Sequence, residues 1–202
     1  MTEHRLFPEG TIPEYTRPDW YADRDRAPHL EQPAHRDRLW LAARSVVASA
    51  IELRLDTAVD LGAGDGGLLS LLRDYTQPHA TWGYDLQPSN VTAARDERGV
   101  DVRQADVLTD DIEWADIAVA TEMLEHLVDP HAFVRRIAER SRVLVASSPH
   151  DETPDHHYEY HCWTWDHDGY RALLEQAGYG IRAHHTVGPF QIIVGYRNGG
   201  PT

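Results

Sequence analysis

The stretch Thr57-Ala-Val-Asp-Leu-Gly-Ala-Gly-Asp-Gly-Gly67 decides the fold. Its first five residues form a short apolar run that reads as a buried strand. The glycines that follow permit a sharp turn and let a ligand touch backbone before a helix opens near Gly66. Strand, glycine loop and helix in this order describe a site for a nucleotide-like ligand. Gly62, Gly64 and Gly67 also satisfy the dinucleotide spacing, so the glycines alone leave the ligand's identity open.

Outward from this loop, short apolar runs alternate with helical segments. Thr57 to Leu61 is a strand, Gly66 to Arg73 a helix, Thr81 to Asp85 a strand, Pro88 to Arg98 a helix and Asp101 to Ala105 a strand. Such alternation implies parallel βαβ units. A strand at Ile117 to Thr121, a helix at Pro130 to Arg140 and a run at Arg142 to Ser147 continue it, with a link before Ile117 too short for a sure helix. After a histidine-rich loop, Trp165 to Ala177 reads as a helix stopped by Gly178. Two strands, Gly180 to Val187 and Phe190 to Tyr196, close the chain as a hairpin around Gly188-Pro189. Upstream, Leu39, Trp40, Ala43, Val46, Val47, Ala50 and Leu53 recur at helical spacing from Pro33 onward and predict one face of a helix lying on the sheet. Residues 1–35 are rich in proline and aromatic residues and predict an ordered arm or lid. Residues 36–197 form the domain proper and 198–202 a tail expected to fray.

The chain has 202 residues and a net charge of -14. That size fits one globular domain, and that charge disfavours a phosphate backbone and so a nucleic acid partner. Cys162 is the single cysteine, which removes internal disulfides and thiolate-rich zinc sites. The first residues lack the apolar run of a signal peptide, and no stretch reaches membrane-spanning length. The expectation is a cytoplasmic protein without a membrane partner; the sequence leaves its oligomeric state open.

Three features narrow the ligand to S-adenosylmethionine. The glycine loop starts after more than fifty residues, and no second domain remains to hold a hydride acceptor. Asp60, just before the turn, suits the ammonium of a methionine moiety but would crowd a pyrophosphate. Asp85 closes the next strand, where it can accept from ribose hydroxyls, and Asp106 follows the third, where it can accept from an adenine amino group. Asp65 reads as a loop acid without a role.

The segments VDLGAGDGG, GYDLQPSNV, RQADVL and ATEMLEHLVDPHAF resemble successive motifs of the class I, Rossmann-like S-adenosylmethionine-dependent methyltransferases, especially small-molecule members with an EMLEH motif. The likeness runs from about Thr57 to Tyr196. It implies an α/β three-layer sandwich with a seven-stranded, mostly parallel sheet and an antiparallel last strand. It also implies that Asp60, Gly62, Gly64 and Gly66 contact the amino-acid part of the cofactor, Asp85 the ribose, Leu86 the adenine face, and Asp106 with Val107 the adenine edge.

Glu122, Glu125 and His126 follow the fourth strand, at the sheet edge where open α/β proteins place their chemistry. Methyl transfer needs the acceptor positioned and, for a hydroxyl, deprotonated. His126, His161 and Glu122 are the catalytic candidates. His150, His156, His157, His161 and His167 are all expected near His126. Glu122, Glu125, His126 and His161 also resemble, less closely, the divalent-metal site of small-RNA 3′-end 2′-O-methyltransferases. Trp163, Trp165, His184 and His185 read as packing or surface residues. Tyr15, Trp20 and Tyr21 can cover the site, and His29 and His35 can join it. The expected activity is methyl transfer from S-adenosylmethionine to a hydroxyl, less readily an amine, of a small-molecule acceptor. The alternatives are a metal-dependent RNA ribose 2′-O-methyltransferase and a non-catalytic cofactor-binding domain.

Overall fold

A computed structural model describes residues 2–197, so the tail expected at 198–202 lies outside the described residues. The elements in chain order are β1 (Glu3–Arg5), α1 (Pro18–Tyr21), α2 (Pro33–Leu53), β2 (Thr57–Leu61), α3 (Gly67–Leu72), β3 (Ala80–Asp85), α4 (Pro88–Ala93), β4 (Val102–Gln104) and β5 (Ile117–Thr121). They continue with α5 (Pro130–Arg140), β6 (Val143–Pro149), β7 (Trp163–Trp165), α6 (His167–Gln176), β8 (Tyr179–Val187) and β9 (Phe190–Arg197). Seven strands form one sheet in the order β4-β3-β2-β5-β6-β9-β8. β2 to β6 pair in parallel, and β9 runs antiparallel to both β6 and β8. This is the expected α/β sandwich with its antiparallel last strand.

The central strands are buried on both faces, so their residues alternate between two cores. On β5, Ile117 and Val119 join α2 and α3 through Val46, Leu68 and Leu69. Ala118 and Ala120 face the opposite side, where α5 and α6 contribute Phe133, Ile137 and Leu173. α5 is capped by Asp129, whose side chain accepts the Ala132 N–H at 2.8 Å, satisfying one orphan donor of its first turn.

Two local expectations need correction. Trp40 is 44% exposed, because the buried stripe of α2 runs through Arg38, Leu39, Ala42, Ala43, Val46, Ser49 and Ala50; a polar arginine occupies the place where an apolar residue was sought. Trp163 to Trp165 is a strand, and the last helix begins only at His167, since Asp166 caps it by accepting from the Gly169 N–H at 2.7 Å. That strand, β7, pairs with β1 of the N-terminal arm, Glu3 opposite Trp165 and Arg5 opposite Trp163. The arm is therefore attached by a ladder that links residues far apart in the chain.

The chain winds from β2 to β3 and β4, then crosses back over β2 to β5. The strand order reverses between β2 and β5, and open α/β sheets bind ligands in the crevice outside the strand ends at such a switch point.

Candidate active site

A cleft of about 310 Å³ opens at that point. Its floor is the glycine loop. The N–H groups of Gly62 and Ala63 both donate to the Tyr84 carbonyl at 2.9 Å, which ties the loop to β3. Gly64 has φ +56°, and a Cβ there would meet no atom within 4 Å, so its backbone lies open on the cleft side. Gly66 does a different job from the one expected. It is absent from the cleft wall, and a Cβ on it would stand 2.5 Å from the Val100 side chain; it permits close packing beneath the loop.

Asp60, Gly62, Gly64, Asp85, Leu86, Asp106 and Val107 all line the cleft. The Asp85 carboxylate accepts from the N–H of Gly64 at 2.8 Å and of Gln87 at 2.8 Å, and from Asn90 at 3.3 Å. Burial raises its pKa against these bonds. Asp106 accepts from the Leu108 N–H at 2.9 Å and the Thr109 hydroxyl at 3.0 Å. Asp60 is 2% exposed, its Oδ1 has no hydrogen-bond partner, and burial pushes its pKa up to about 7, with Arg38 opposing and Asp85 adding to the rise.

Arg38 is the residue that sequence reasoning missed. It lines the same cleft from α2 and is 1% exposed. Its contacts are long: Nη1 lies 3.4 Å from the Ser147 hydroxyl and Nη2 3.3 Å from His35 Nδ1, while Nε has no partner. Burying a guanidinium without a carboxylate costs several kcal/mol. An arginine within an apolar helical stripe was the available signal, since such a residue is seldom buried without a reason. Asp65, read as a loop acid, is also 2% exposed; it accepts from Arg26 at 2.9 Å and Arg98 at 2.5 Å and so ties the loop to the arm and to the segment between α4 and β4.

The turn after β5 forms the other wall. Glu122 has φ +54°, a conformation that costs a non-glycine residue of order 1–3 kcal/mol and tends to mark functional sites. The Ser147 hydroxyl donates to its Oε1 at 2.8 Å, and burial raises its pKa. Glu125 is 1% exposed, neither carboxylate oxygen has a partner, and burial with the Glu122 charge drives its pKa well up. The Cys162 N–H donates to the Glu125 carbonyl at 2.6 Å, which draws the loop before β7 against this turn and places His161 beside His126, ring centroids 4.7 Å apart.

Both imidazoles are held by the same nitrogen. His126 Nδ1 lies 3.1 Å from the Tyr160 carbonyl and His161 Nδ1 2.6 Å from Glu152 Oε2. With Nδ1–H donating in each, Nε2 is left with a lone pair, the usual arrangement of a metal-ligating histidine. Ligand atoms of Glu125, His126 and His161 lie within 4.8 Å of one another. Glu122, expected among the ligands, falls outside that group. Burial lowers His126 to about 3, with His161 contributing, which makes it a weak proton acceptor and a neutral donor atom.

The other histidines gather elsewhere. His150 packs on His167 at 5.4 Å and His167 on His184 at 4.5 Å, because the loop after β6 runs back toward the β8–β9 turn, where the His150 N–H donates to the Pro189 carbonyl. His156 and His157 belong to a small exposed turn bridged to Thr153. His29 lines the cleft and stacks on His35 at 4.5 Å; burial lowers both to about 4. Trp163 and Trp165 are core residues, as expected. Trp20 and Tyr21 line the cleft. Tyr15 instead packs beneath them, its ring 5.6 Å from Tyr160.

Comparison with known proteins agrees with this fold. The solved structure of the N-methyltransferase NodS from Bradyrhizobium japonicum WM9, in complex with S-adenosylhomocysteine, is similar at 16% identity and TM-score 0.70, over 92% of this chain and 98% of that one. The small RNA methyltransferase HEN1 is similar at 20% identity and TM-score 0.68, over 88% of this chain but 27% of that one. The [4+2]-cyclase SpnF is similar at 16% identity and TM-score 0.67, over 89% and 86%. At such identities the likeness is one of fold, and the cyclase illustrates that one fold can carry different chemistries. No curated protein matches the chain in sequence. A family profile described as a methyltransferase domain matches residues 34–184. The match spans most of the sheet, the glycine loop and the turn after β5, and the chain belongs to the methyltransferase-domain family.

Proposed function

We propose that the chain transfers a methyl group from S-adenosylmethionine to a hydroxyl of a small acceptor, with a divalent cation beside the acceptor. The cluster of Glu125, His126 and His161 carries this reading, since its ligand atoms lie within 4.8 Å of one another and neither Glu125 oxygen has a partner. The cleft fits the cofactor: Asp60 and Arg38 present unsatisfied groups of opposite charge to it, as a zwitterionic amino-acid end requires. Asp60 would receive the ammonium and Arg38 the carboxylate. Gly64 offers open backbone, Asp85 would accept from the ribose, and Leu86, Asp106 and Val107 would frame the adenine.

S-adenosylmethionine supplies a methyl on a sulfonium. The acceptor oxygen forms the new O–C bond as the C–S bond breaks and its electron pair returns to sulfur. The hydroxyl proton passes to Glu122, which lines the cleft, has one oxygen free of partners among the described residues, and has a proton affinity raised by burial. A carboxylate lifted toward neutrality suits that task better than His126, whose burial makes it a poor base. A cation held by Glu125, His126 and His161 would supply positive charge that orients acceptor oxygens and eases loss of the proton.

A second reading, methylation of an RNA ribose, draws support from the same cluster and from likeness in fold to the small RNA methyltransferase HEN1. The net charge of -14 weighs against it. The chain has no helix among the described residues long and apolar enough to cross a membrane. The test combines three measurements on purified protein: calorimetric binding of S-adenosylhomocysteine, binding of Mn²⁺, and S-adenosylhomocysteine release with polyhydroxylated acceptors before and after chelation. Glu125→Gln should lose Mn²⁺ binding and turnover yet keep S-adenosylhomocysteine. Turnover indifferent to chelation and to Glu125→Gln would refute the cation, and absence of S-adenosylhomocysteine binding would refute the cofactor.

A further inference from the structure

Residues 2–33 lie outside the family match, yet they are fastened across the cleft. Gln87 Nε2 donates to the Asp25 carbonyl at 2.5 Å, Ser89 Oγ to the Arg24 carbonyl at 2.7 Å, and the Ala27 N–H to Asn90 Oδ1 at 3.0 Å. Asn90 in turn donates to Asp85, and Arg26 bonds Asp65 of the glycine loop. These contacts bring Trp20, Tyr21 and Arg24 into the cleft wall. The Trp20 ring stands 4.9 Å from Tyr160, and it is the Tyr160 carbonyl that holds His126. The arm thus spans from the Asp85 side of the cleft to the neighbourhood of the acid-histidine cluster.

Arg24 gives this wall its chemistry. Its guanidinium carbon lies 3.8 Å from the Trp20 ring centre and 5.6 Å from that of Tyr160. It makes no ion pair among the described residues, whereas Arg26, two residues on, pairs with Glu31, Asp65 and Glu97. A guanidinium stacked on an aromatic face keeps its edge donors for an anion. Tyr158 and Tyr160 extend the aromatic surface, which receives a flat ring more readily than a flexible chain. A cation at Glu125, His126 and His161 would keep open positions suited to neighbouring oxygens of one acceptor.

We infer that Trp20, Tyr160 and Arg24 select the acceptor, and that the acceptor is a small planar ring carrying adjacent hydroxyls and one anionic substituent. This rests on the hydroxyl-directed reading above. The arm then acts as a specificity element: the family-shared core would handle the cofactor, and the added segment would recognise the ring and its charge. A carboxylate or a phosphate monoester can supply the anion, because the guanidinium fork binds either.

Binding can be measured without turnover. Protein loaded with S-adenosylhomocysteine and Mn²⁺ is titrated with catechol, with protocatechuate as its carboxylate, with a catechol phosphate monoester, and with a short RNA ending in a ribose diol. The anionic catechols should bind at least about tenfold more tightly than catechol, since a hydrogen bond to a charged group contributes roughly 1.5–3 kcal/mol; which of the two is preferred distinguishes carboxylate from phosphate. Arg24→Met should abolish that preference, so that the anionic catechols bind no more tightly than catechol does to the same variant, and Arg24→Lys should restore part of it. Trp20→Ala should weaken every ring ligand. Equal affinity for neutral and anionic catechols, an Arg24→Met variant that keeps the preference, failure of all catechols to bind, or tight binding confined to the RNA would each overturn the inference. If S-adenosylhomocysteine or Mn²⁺ fails to bind in the first place, it is the underlying cofactor or cation reading that falls, and the inference falls with it.

Discussion

Replacing Asp60 by asparagine keeps the side chain's shape and removes its charge. The carboxyl is 2% exposed and its pKa is raised from 3.8 to about 7, chiefly by burial. A shift of about 3 units corresponds to roughly 4 kcal/mol at ~1.4 kcal/mol per unit. Because the folded pKa lies above the unfolded one, the unfolded chain releases this proton first. The penalty is absent below about pH 3.8, grows as pH rises, and is complete above about pH 7. Asp60→Asn should therefore stabilise the ligand-free protein by up to roughly 4 kcal/mol near pH 8 but only about 2 kcal/mol near pH 5, less whatever the buried amide itself costs. Urea denaturation at the two pH values reads the difference. The cofactor supplies the opposite effect. Wild-type Asp60 must be ionised to receive an ammonium, so affinity for S-adenosylhomocysteine should rise between about pH 6 and 8, by up to about tenfold per unit below the folded pKa. Calorimetry in two buffers of different ionisation heat should detect proton release on binding. The variant should bind roughly tenfold to a hundredfold more weakly, with a flat pH profile. A wild-type affinity constant over this range, or a variant less stable than wild type near pH 8, would refute the assignment of Asp60 as a buried, partnerless acid awaiting a cation.

Three further outcomes follow from particular contacts. Gly66→Ala, with φ +76° and a Cβ 2.5 Å from Val100, should destabilise by about 1–3 kcal/mol in urea melts, while leaving the cofactor's direct contacts intact. Glu152→Gln removes the acceptor charge that orients His161; Mn²⁺ affinity should fall by roughly tenfold to a hundredfold in calorimetry, with S-adenosylhomocysteine binding unchanged. Trp40→Lys, on the 44% exposed face of α2, should shift stability by no more than about 0.5 kcal/mol, and a large loss would place Trp40 in a core it does not occupy here.

The short-range features were written in the chain. Buried parallel strands read as apolar runs, and β2 and β5 stand at Thr57–Leu61 and Ile117–Thr121 as their runs predict. Asp60, Asp85 and Asp106 could be found because each sits at the end of a recognisable strand, and a parallel sheet brings such ends to one edge. Glu125 and His126 were legible for the same reason. His161 is a candidate from among five histidines after β6, although nothing in its spacing requires it to reach His126. It meets His126 because Cys162 bonds the Glu125 carbonyl and Glu152 fixes the ring.

What the sequence determined by itself was the class of fold and which strand-end residues line the cleft, since both depend on periodicity and on residues a few positions from a strand end. Only the tertiary structure decided which polar residues lack partners, because that depends on every element packed around them. It put Arg38 of α2 opposite Asp60, moved Gly66 from the ligand to the packing beneath the loop, and left Glu122 outside the tight metal-ligand group. It also tied β1 to β7, strands about 160 residues apart whose pairing no local pattern encodes, and brought Trp20 and Arg24 into the cleft wall through bonds from Gln87, Ser89 and Asn90 to the arm.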